Sequence, residues 1–267
     1  MKIKYIISSG WWCNGDDEDT REKLLGDDLI REKDFFSNWF EAINLFTNPE
    51  KIIVVDSNSP VKPDLSVADD RVEFISLDEN AGHSTNHTGQ YCGYTRAIFA
   101  GMGYAISCNV DYWVYVEQDA LLYGDNIVEN AISEMQGDFL FGSGEGTPQV
   151  LQQSLIIMKT AFLPTFIKNY TDINYTDNQI SPELKFALSC SPYYKIISKV
   201  MFIKTKIKSI DKFIMRLSNF YFKYLINKNS FNFGYGRARP IDFDEQFFYF
   251  QHGDKNELNM YAEKMKK

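Results

Sequence analysis

The sequence predicts an α/β fold: a mixed, mostly parallel sheet flanked by helices, with a basic helical extension toward the C-terminus. Two apolar, β-branched strands, residues 51–56 and 111–116, run directly into acid, Asp56 in the first case and Glu117 and Asp119 in the second. Strands that are apolar throughout are buried on both faces, as in parallel sheets, and their carboxyl ends open into ligand crevices. Between them come a short strand at 72–75 and the stretch 93–105, whose small and apolar positions suit a helix packed on a sheet. Strand, strand, helix, strand is the order an α/β fold uses.

The remaining elements follow from the same patterns. Residues 1–10 read as a first strand and a Gly turn, because the apolar part is too short and too soon interrupted for a signal peptide. Residues 139–141 form a short strand entering the Gly-rich loop 142–148, and 151–158 form a buried strand feeding a helix over 160–170. Ser181 and Pro182 supply the N-cap and first turn of another helix. At 267 residues, with 44% hydrophobic and 15% aromatic content, the chain can bury a sizeable core. The expected division is a main α/β domain over 1–194, a basic amphipathic helical segment over 195–230, and a C-terminal segment, 231–267, returning to that domain. No run reaches transmembrane length. Four scattered cysteines with no C-x-x-C pairing suggest neither a disulfide framework nor a zinc knuckle, so a reducing, cytoplasmic setting is expected.

The chemistry starts at the second strand end. In an extended chain, residues i and i+2 share a side, so Glu117 and Asp119 can converge on one hard cation. Magnesium and manganese favour one or two carboxylates plus phosphate oxygens, which points to a diphosphate ligand. The plainer alternative is a strand followed by a solvated acidic turn.

Taken in order, Val54-Val55-Asp56-Ser57-Asn58-Ser59, Asn80-Ala81-Gly82, the helix carrying Arg96 and the Glu117-x-Asp119 strand end resemble glycosyltransferases with the GT-A (Rossmann-like) fold, in particular their large inverting family. The resemblance covers roughly residues 1–145. It implies a nucleoside-diphosphate sugar as donor, Mn2+ or Mg2+ as cofactor, and a glycan or lipid-linked glycan as acceptor. It places Asp56 at the base or ribose, Arg96 near the nucleotide, and Asp119 on the metal with Glu117 beside it. This chain departs from the pattern in having Glu117 as the first acid, and in a polar insertion containing His83, Asn86, His87 and Gln90. His252, between an aromatic run and Gly253, stands where several such families place a further metal or diphosphate ligand; the plainer reading is a hydrogen-bonded structural histidine. His83 and His87 lack a third ligand and read as a loop, not a zinc pair.

Inversion, which rests on the resemblance alone, requires a carboxylate that deprotonates the acceptor hydroxyl on the face opposite the leaving diphosphate. Glu183, Asp242, Asp244 and Glu245 are the candidates, with Glu183 and Asp244 foremost. A retaining transferase would dispense with this base. Glu145 reads either as an acid orienting sugar hydroxyls or as a solvated loop residue. Of Trp11 and Trp12, adjacent on the first strand, one is expected in the core and one beside a base. The acidic run 16–19 carries no expected chemistry.

Charge is unevenly spread. Nine Lys or Arg stand against the single Asp211 between residues 195 and 228, a local +8, so the remaining chain carries −16 to reach the net −8. Cations interleaved with bulky apolar residues suit amphipathic helices on an anionic membrane surface, at the inner face of a membrane, or a helical pair packed on the domain with its lysines solvated. Nucleic acid is not expected as a partner, because the acidic remainder repels a phosphate backbone and no recognition motif is present. Two other functions remain in play. A sugar nucleotidyltransferase shares such a sheet but carries a Gly-rich loop with Arg and Lys after the first strand, where this chain has Ser8-Ser9-Gly10-Trp11-Trp12. A non-catalytic, membrane-peripheral binding protein would keep only the fold.

Overall fold

The computed structural model describes residues 2–15, 24–87, 89–147, 149–202 and 208–266. The acidic run 16–19 lies outside the described residues, as do Lys204 and Lys206 of the basic stretch and the side chain of Lys208.

The chain runs β1 (Tyr5–Trp11), α1 (Phe35–Phe46), β2 (Lys51–Asp56), β3 (Val72–Ser76), α2 (Gly93–Ser107), β4 (Tyr112–Val116), β5 (Ala120–Tyr123) and α3 (Ile127–Glu134). It continues through β6 (Phe139–Ser143), β7 (Leu151–Lys159), α4 (Leu163–Thr171), α5 (Pro182–Ser189), α6 (Tyr194–Met201) and α7 (Lys208–Lys228). The last elements are β8 (Tyr235–Gly236), β9 (Phe248–Gln251) and α8 (Lys255–Met265). Six strands form one sheet in the order β3-β2-β1-β4-β7-β6. The first four are mutually parallel, and β7 runs antiparallel to both β4 and β6. A smaller sheet, β5-β9-β8, stands beside it. The architecture is therefore α/β, with a mixed, mostly parallel sheet flanked by helices.

Period-two alternation sorts the core into two layers. Tyr5 and Ile7 of β1, Ile52 and Val54 of β2, and Val114 and Val116 of β4 face the apolar side of α1, where Phe35, Phe36, Trp39, Phe40 and Ile43 are buried. Ile6, Ile53, Val55, Trp113 and Tyr115 point the other way, toward Ala97, Ile98, Met102 and Ala105 of α2 and, further along, Phe166 and Phe186. Every central strand is thus apolar on both faces, which is why these runs read as continuous and not alternating. Gly101 of α2 lets the helix approach β1, since a Cβ there would stand 2.6 Å from the Ser8 Cβ.

Differences from the sequence expectations are local. Gly10 continues β1 and does not turn it. The predicted helix 160–170 divides into a 3-10 turn, Thr160–Phe162, and α4. Ser181 sits at the N-cap of α5 without a side-chain capping bond. The basic segment is helical over α6 and α7, and it joins the core through Tyr194, Met201, Phe222 and Ile226. All four cysteines are free. No helix among the described residues is long and apolar enough to cross a membrane.

Candidate functional site

The site is built around the turn between β4 and β5. The strand ends at Val116, so Glu117 and Asp119 are not two successive same-side positions of an extended chain, as their spacing suggested. Glu117 N–H donates to the Ser154 carbonyl of β7 at 2.9 Å, and the Ala120 N–H closes the turn onto the Glu117 carbonyl at 2.9 Å. Gln118, between the acids, folds back onto the end of β1. Its Oε1 accepts from Trp12 N–H at 2.6 Å, and its Nε2 donates to the Trp12 carbonyl at 3.0 Å. That reciprocal pair turns Gln118 to one side and leaves both acids on the other.

The acids meet a partner from the far end of the sequence. Gln251 Nε2 donates to Glu117 Oε2 at 2.6 Å and to Asp119 Oδ1 at 3.1 Å. His252 places Nδ1 2.7 Å from Asp119 Oδ2. This register follows from the antiparallel pairing of β5 with β9, in which Ala120 faces Gln251. His252 adopts a left-handed backbone, φ 56°, that swings it off the strand line. Residues 24–31 support it from behind: the Asp27 N–H donates to the Gly253 carbonyl at 2.9 Å, and Gly26, at φ 78°, lies so close that a Cβ would stand 2.7 Å from the His252 carbonyl carbon. Arg239 donates to the Gln251 carbonyl at 2.8 Å and pairs with Glu257 of α8, fastening the end of β9.

Arg237 completes the cluster, its Nε donating to Gln251 Oε1 at 3.2 Å while its backbone N–H bonds Gln152 Oε1. Burial and the neighbouring Asp119 charge push the Glu117 carboxyl up to about 8, against the Arg237 charge and the Gln251 hydrogen bond. Burial also pushes Asp119 up, but the adjacent His252, with Gln251 and Arg237, outweighs it and holds Asp119 below its ordinary value. The two neighbouring acids are thus shifted in opposite directions, Glu117 up and Asp119 down.

Glu117, Asp119, Arg237 and His252 line a cleft of about 730 Å³. Its walls come from the carboxyl ends of β1 and β2 (Trp12, Ser57), the start of α2 (Gly93, Tyr94) and the first turn of α5, where Glu183 projects. The charge of Glu183 acts on Glu117. A buried ion pair ties these two helix starts together. Lys185 Nζ lies 2.8 Å from Asp177 Oδ1, and Asp177 Oδ2 accepts the Cys92 N–H at 2.9 Å where α2 begins.

Other expected site residues lie elsewhere. Asp56 is fully buried; it accepts from Ser59 N–H at 3.0 Å and from Ser76 Oγ at 2.7 Å, pairs with Lys62, and does not line the cleft. Burial pushes its carboxyl up, but Lys62, Ser59 and Ser76 outweigh this and hold it below the ordinary value. Arg96 pairs with Glu79 at 2.9 Å and donates to the Tyr91 carbonyl at 3.3 Å, off the cleft wall. Asp244 is exposed on the turns before β9, its N–H bonded to Asp242 Oδ1 at 2.9 Å; it is not brought to the cluster. Glu145 is exposed as well. Trp11 is core, edge-on to Phe36 at 5.9 Å, while Trp12 lies half-buried at the cleft. His83 also lines the cleft, and His87 is buried beside Gly82. Gln118, Arg237 and Gln251 were missed by sequence reasoning. Nothing in an isolated Gln or Arg marks it, and only the β5–β9 register would have paired Gln251 with the acids.

Among the described residues, no three His, Cys, Asp or Glu side chains are grouped as a ready metal cage. Asp119 and Glu117 nonetheless fit the donor set of a hard cation completed by ligand oxygens, since carboxylates suit manganese or magnesium, and the imidazole of His252 favours manganese of the two.

No family model matches the chain, and no curated protein does. Several solved structures are similar to it at low identity. The mannosyltransferase PcManGT from Pyrobaculum calidifontis, in complex with GDP-Man and Mn2+, is 9% identical over 86% of this chain and 74% of its own, with a TM-score of 0.44. S. aureus TarS is 14% identical over 70% of this chain and 34% of its own, with a TM-score of 0.42. A cytidylyltransferase from Leptospira borgpetersenii is 15% identical over 63% of this chain, which spans 64% of that protein, with a TM-score of 0.36.

Proposed function

We propose that the protein is a metal-dependent glycosyltransferase that moves a sugar from a nucleoside-diphosphate sugar to a glycan or lipid-linked glycan, with inversion. The observation that carries the reading is the convergence of Glu117, Asp119, His252 and Arg237 on one wall of the cleft, with Glu183 on the wall formed by α5. A bound Mn2+ or Mg2+, held by Asp119 with His252 and Glu117, would offset the negative charge that builds on the departing diphosphate. Arg237 adds a fixed cation beside that position. Trp12, at the carboxyl end of β1, offers a flat surface for the base. Glu183 takes the role of general base, accepting the acceptor hydroxyl proton as that oxygen attacks the anomeric carbon. Its place at the first turn of α5, pinned through Lys185 and Asp177, keeps it on an element separate from the metal-holding turn.

The test is a thermal-shift series with UDP or GDP, with and without Mn2+, followed by donor hydrolysis. Stabilisation by the nucleotide that requires the metal, and release of nucleoside diphosphate, are the expected results. Release of pyrophosphate from a nucleoside triphosphate and a sugar phosphate would replace this reading with nucleotidyl transfer. No stabilisation by any nucleotide would leave a binding protein that keeps only the fold.

A further inference from the structure

Away from the cleft, α6 and α7 carry a surface that the transfer reading does not use. Helix α7 is anchored by Phe222 and Ile226, both fully buried, with Tyr221 and Leu225 packed beside them. On a different side of the same helix, Ile210, Phe213, Leu217, Phe220 and Tyr224 follow at spacings of three and four, which puts them in a single stripe. They are exposed; Phe213 reaches 65% and Phe220 73%. Helix α6 presents Ile196 and Val200, and Tyr193 just before it, in the same condition. The two helices are joined on the anchored side of α7, where Tyr193 meets Tyr221, with ring centroids 6.2 Å apart, and where Ser191 Oγ and Tyr221 OH share a hydrogen bond at 2.9 Å. Single exposed apolar residues are ordinary on a soluble surface, whereas eight along two packed helices mark a contact face.

Charge identifies the occupant. Lys212, Arg216 and Lys223 fall in a row along one flank of the α7 stripe, and Lys195 and Lys199 stand exposed on α6. Asp211 is the sole acid between residues 195 and 228, in a chain whose remainder carries −16. A three-four apolar repeat is also a coiled-coil seam, but pairing with a second copy would set Arg216 and Lys223 against their own counterparts with no acid on the seam to offset them. An anionic bilayer satisfies both halves of the pattern, taking aromatic and aliphatic side chains at its headgroup boundary and cations at its phosphates. We propose that the α6–α7 face docks this protein on an anionic membrane surface, lying along it without crossing it. The inference does not depend on the transfer reading, and either can fail alone, because vesicle binding is measured without nucleotide or acceptor.

The test is sedimentation of the full chain with phosphatidylcholine vesicles, with and without phosphatidylglycerol, at low and high salt. The wild type is expected to bind the anionic vesicles, more weakly as salt rises. Replacing Lys212, Arg216 and Lys223 together by Gln should lower that partitioning on the order of a hundredfold. Replacing Phe213, Phe220 and Tyr224 together by Ser should also abolish it while leaving the melting temperature unchanged, because these side chains are exposed. Absent binding, equal binding to neutral and anionic vesicles, or binding that survives both sets of substitutions would overturn the proposal. So would a dimer that the Ser variant dissociates in a protein that ignores vesicles.

Discussion

The carboxyl ends of β2 and β4 look alike in sequence and do opposite work. Each is an apolar parallel strand running into acid, and each stands at the same edge of the sheet. At the end of β2, Asp56 is closed off by neighbours from its own region, Ser59, Lys62 and Ser76, and it holds the following turn in place. At the end of β4, Glu117 and Asp119 are met by Gln251 and His252, more than 130 residues away, and they face open volume. The difference teaches that a strand-end acid is left facing open volume when its own stretch of chain supplies too few donors to close it off. Local chain that can supply enough donors makes it structural instead.

The largest effect that tests this contrast is on turnover. Asp119→Asn should lower transfer about 10³-fold and remove metal-dependent stabilisation by nucleotide, with little change in melting. Normal turnover at saturating Mn2+ would remove Asp119 from the site. Asp56→Ala should behave in reverse. Leaving the Ser59 N–H and Ser76 hydroxyl without their acceptor should cost about 2–3 kcal/mol in denaturant unfolding, while activity per folded molecule is kept. If this variant is as stable as the wild type but fails to bind nucleotide, the contrast breaks, and Asp56 belongs to the ligand as the family resemblance implied.

His252→Ala should lower turnover about 10- to 100-fold, a span set by loss of one supporting ligand. Its melting temperature should hold, since Gln251 and Arg239 still fasten β9. A variant that melts early but turns over normally would make His252 a structural residue.

The smallest effect is electrostatic. The Glu117 carboxyl lies above its unfolded value in the folded protein, near 8 as against 4.5. A raised value means the folded form holds the proton more tightly, so this contribution to stability is complete below about pH 4.5 and is lost as pH rises through about 8. Glu117→Gln keeps the hydrogen-bonding shape without the charge. Its melting temperature should therefore gain on the wild type by a few degrees between pH 5 and 8 in metal-free buffer. A gap that stays constant with pH would contradict the shared-charge account of the pair.

Much of the scaffold was legible because it depends on local pattern. Continuous apolar runs marked β2 and β4, a shorter interrupted run marked β1, small residues marked α2, and Ser181-Pro182 marked the start of α5. The acids at 117 and 119 were visible for the same reason, although the argument from strand alternation was mistaken: a turn held by Gln118 places them, and strand geometry does not. What escaped was everything set by long-range register. Arg237 and Gln251 carry no signature until β9 is laid beside β5. Asp244 is a candidate base by residue type alone, and the turns before β9 leave it in solvent. Arg96 was assigned by resemblance, and the ion pair with Glu79 holds it off the cleft wall. His252 was found through the resemblance, while its left-handed backbone could be seen only in the structure.

The reciprocal hold between the β4–β5 turn and β9 also makes the C-terminal strand a reporter. The β9 amides that bond β5 exchange with solvent only when β9 lifts from it, and that opening separates Gln251 and His252 from the acids; the Tyr249 N–H instead bonds the Gly234 carbonyl on the other side. A ligand that needs all of these groups binds the closed form alone, so by linkage it must slow exchange along β9 in proportion to its occupancy. Deuterium uptake in this one strand would therefore measure affinity at the cleft without a labelled sugar, an acceptor or any turnover at all.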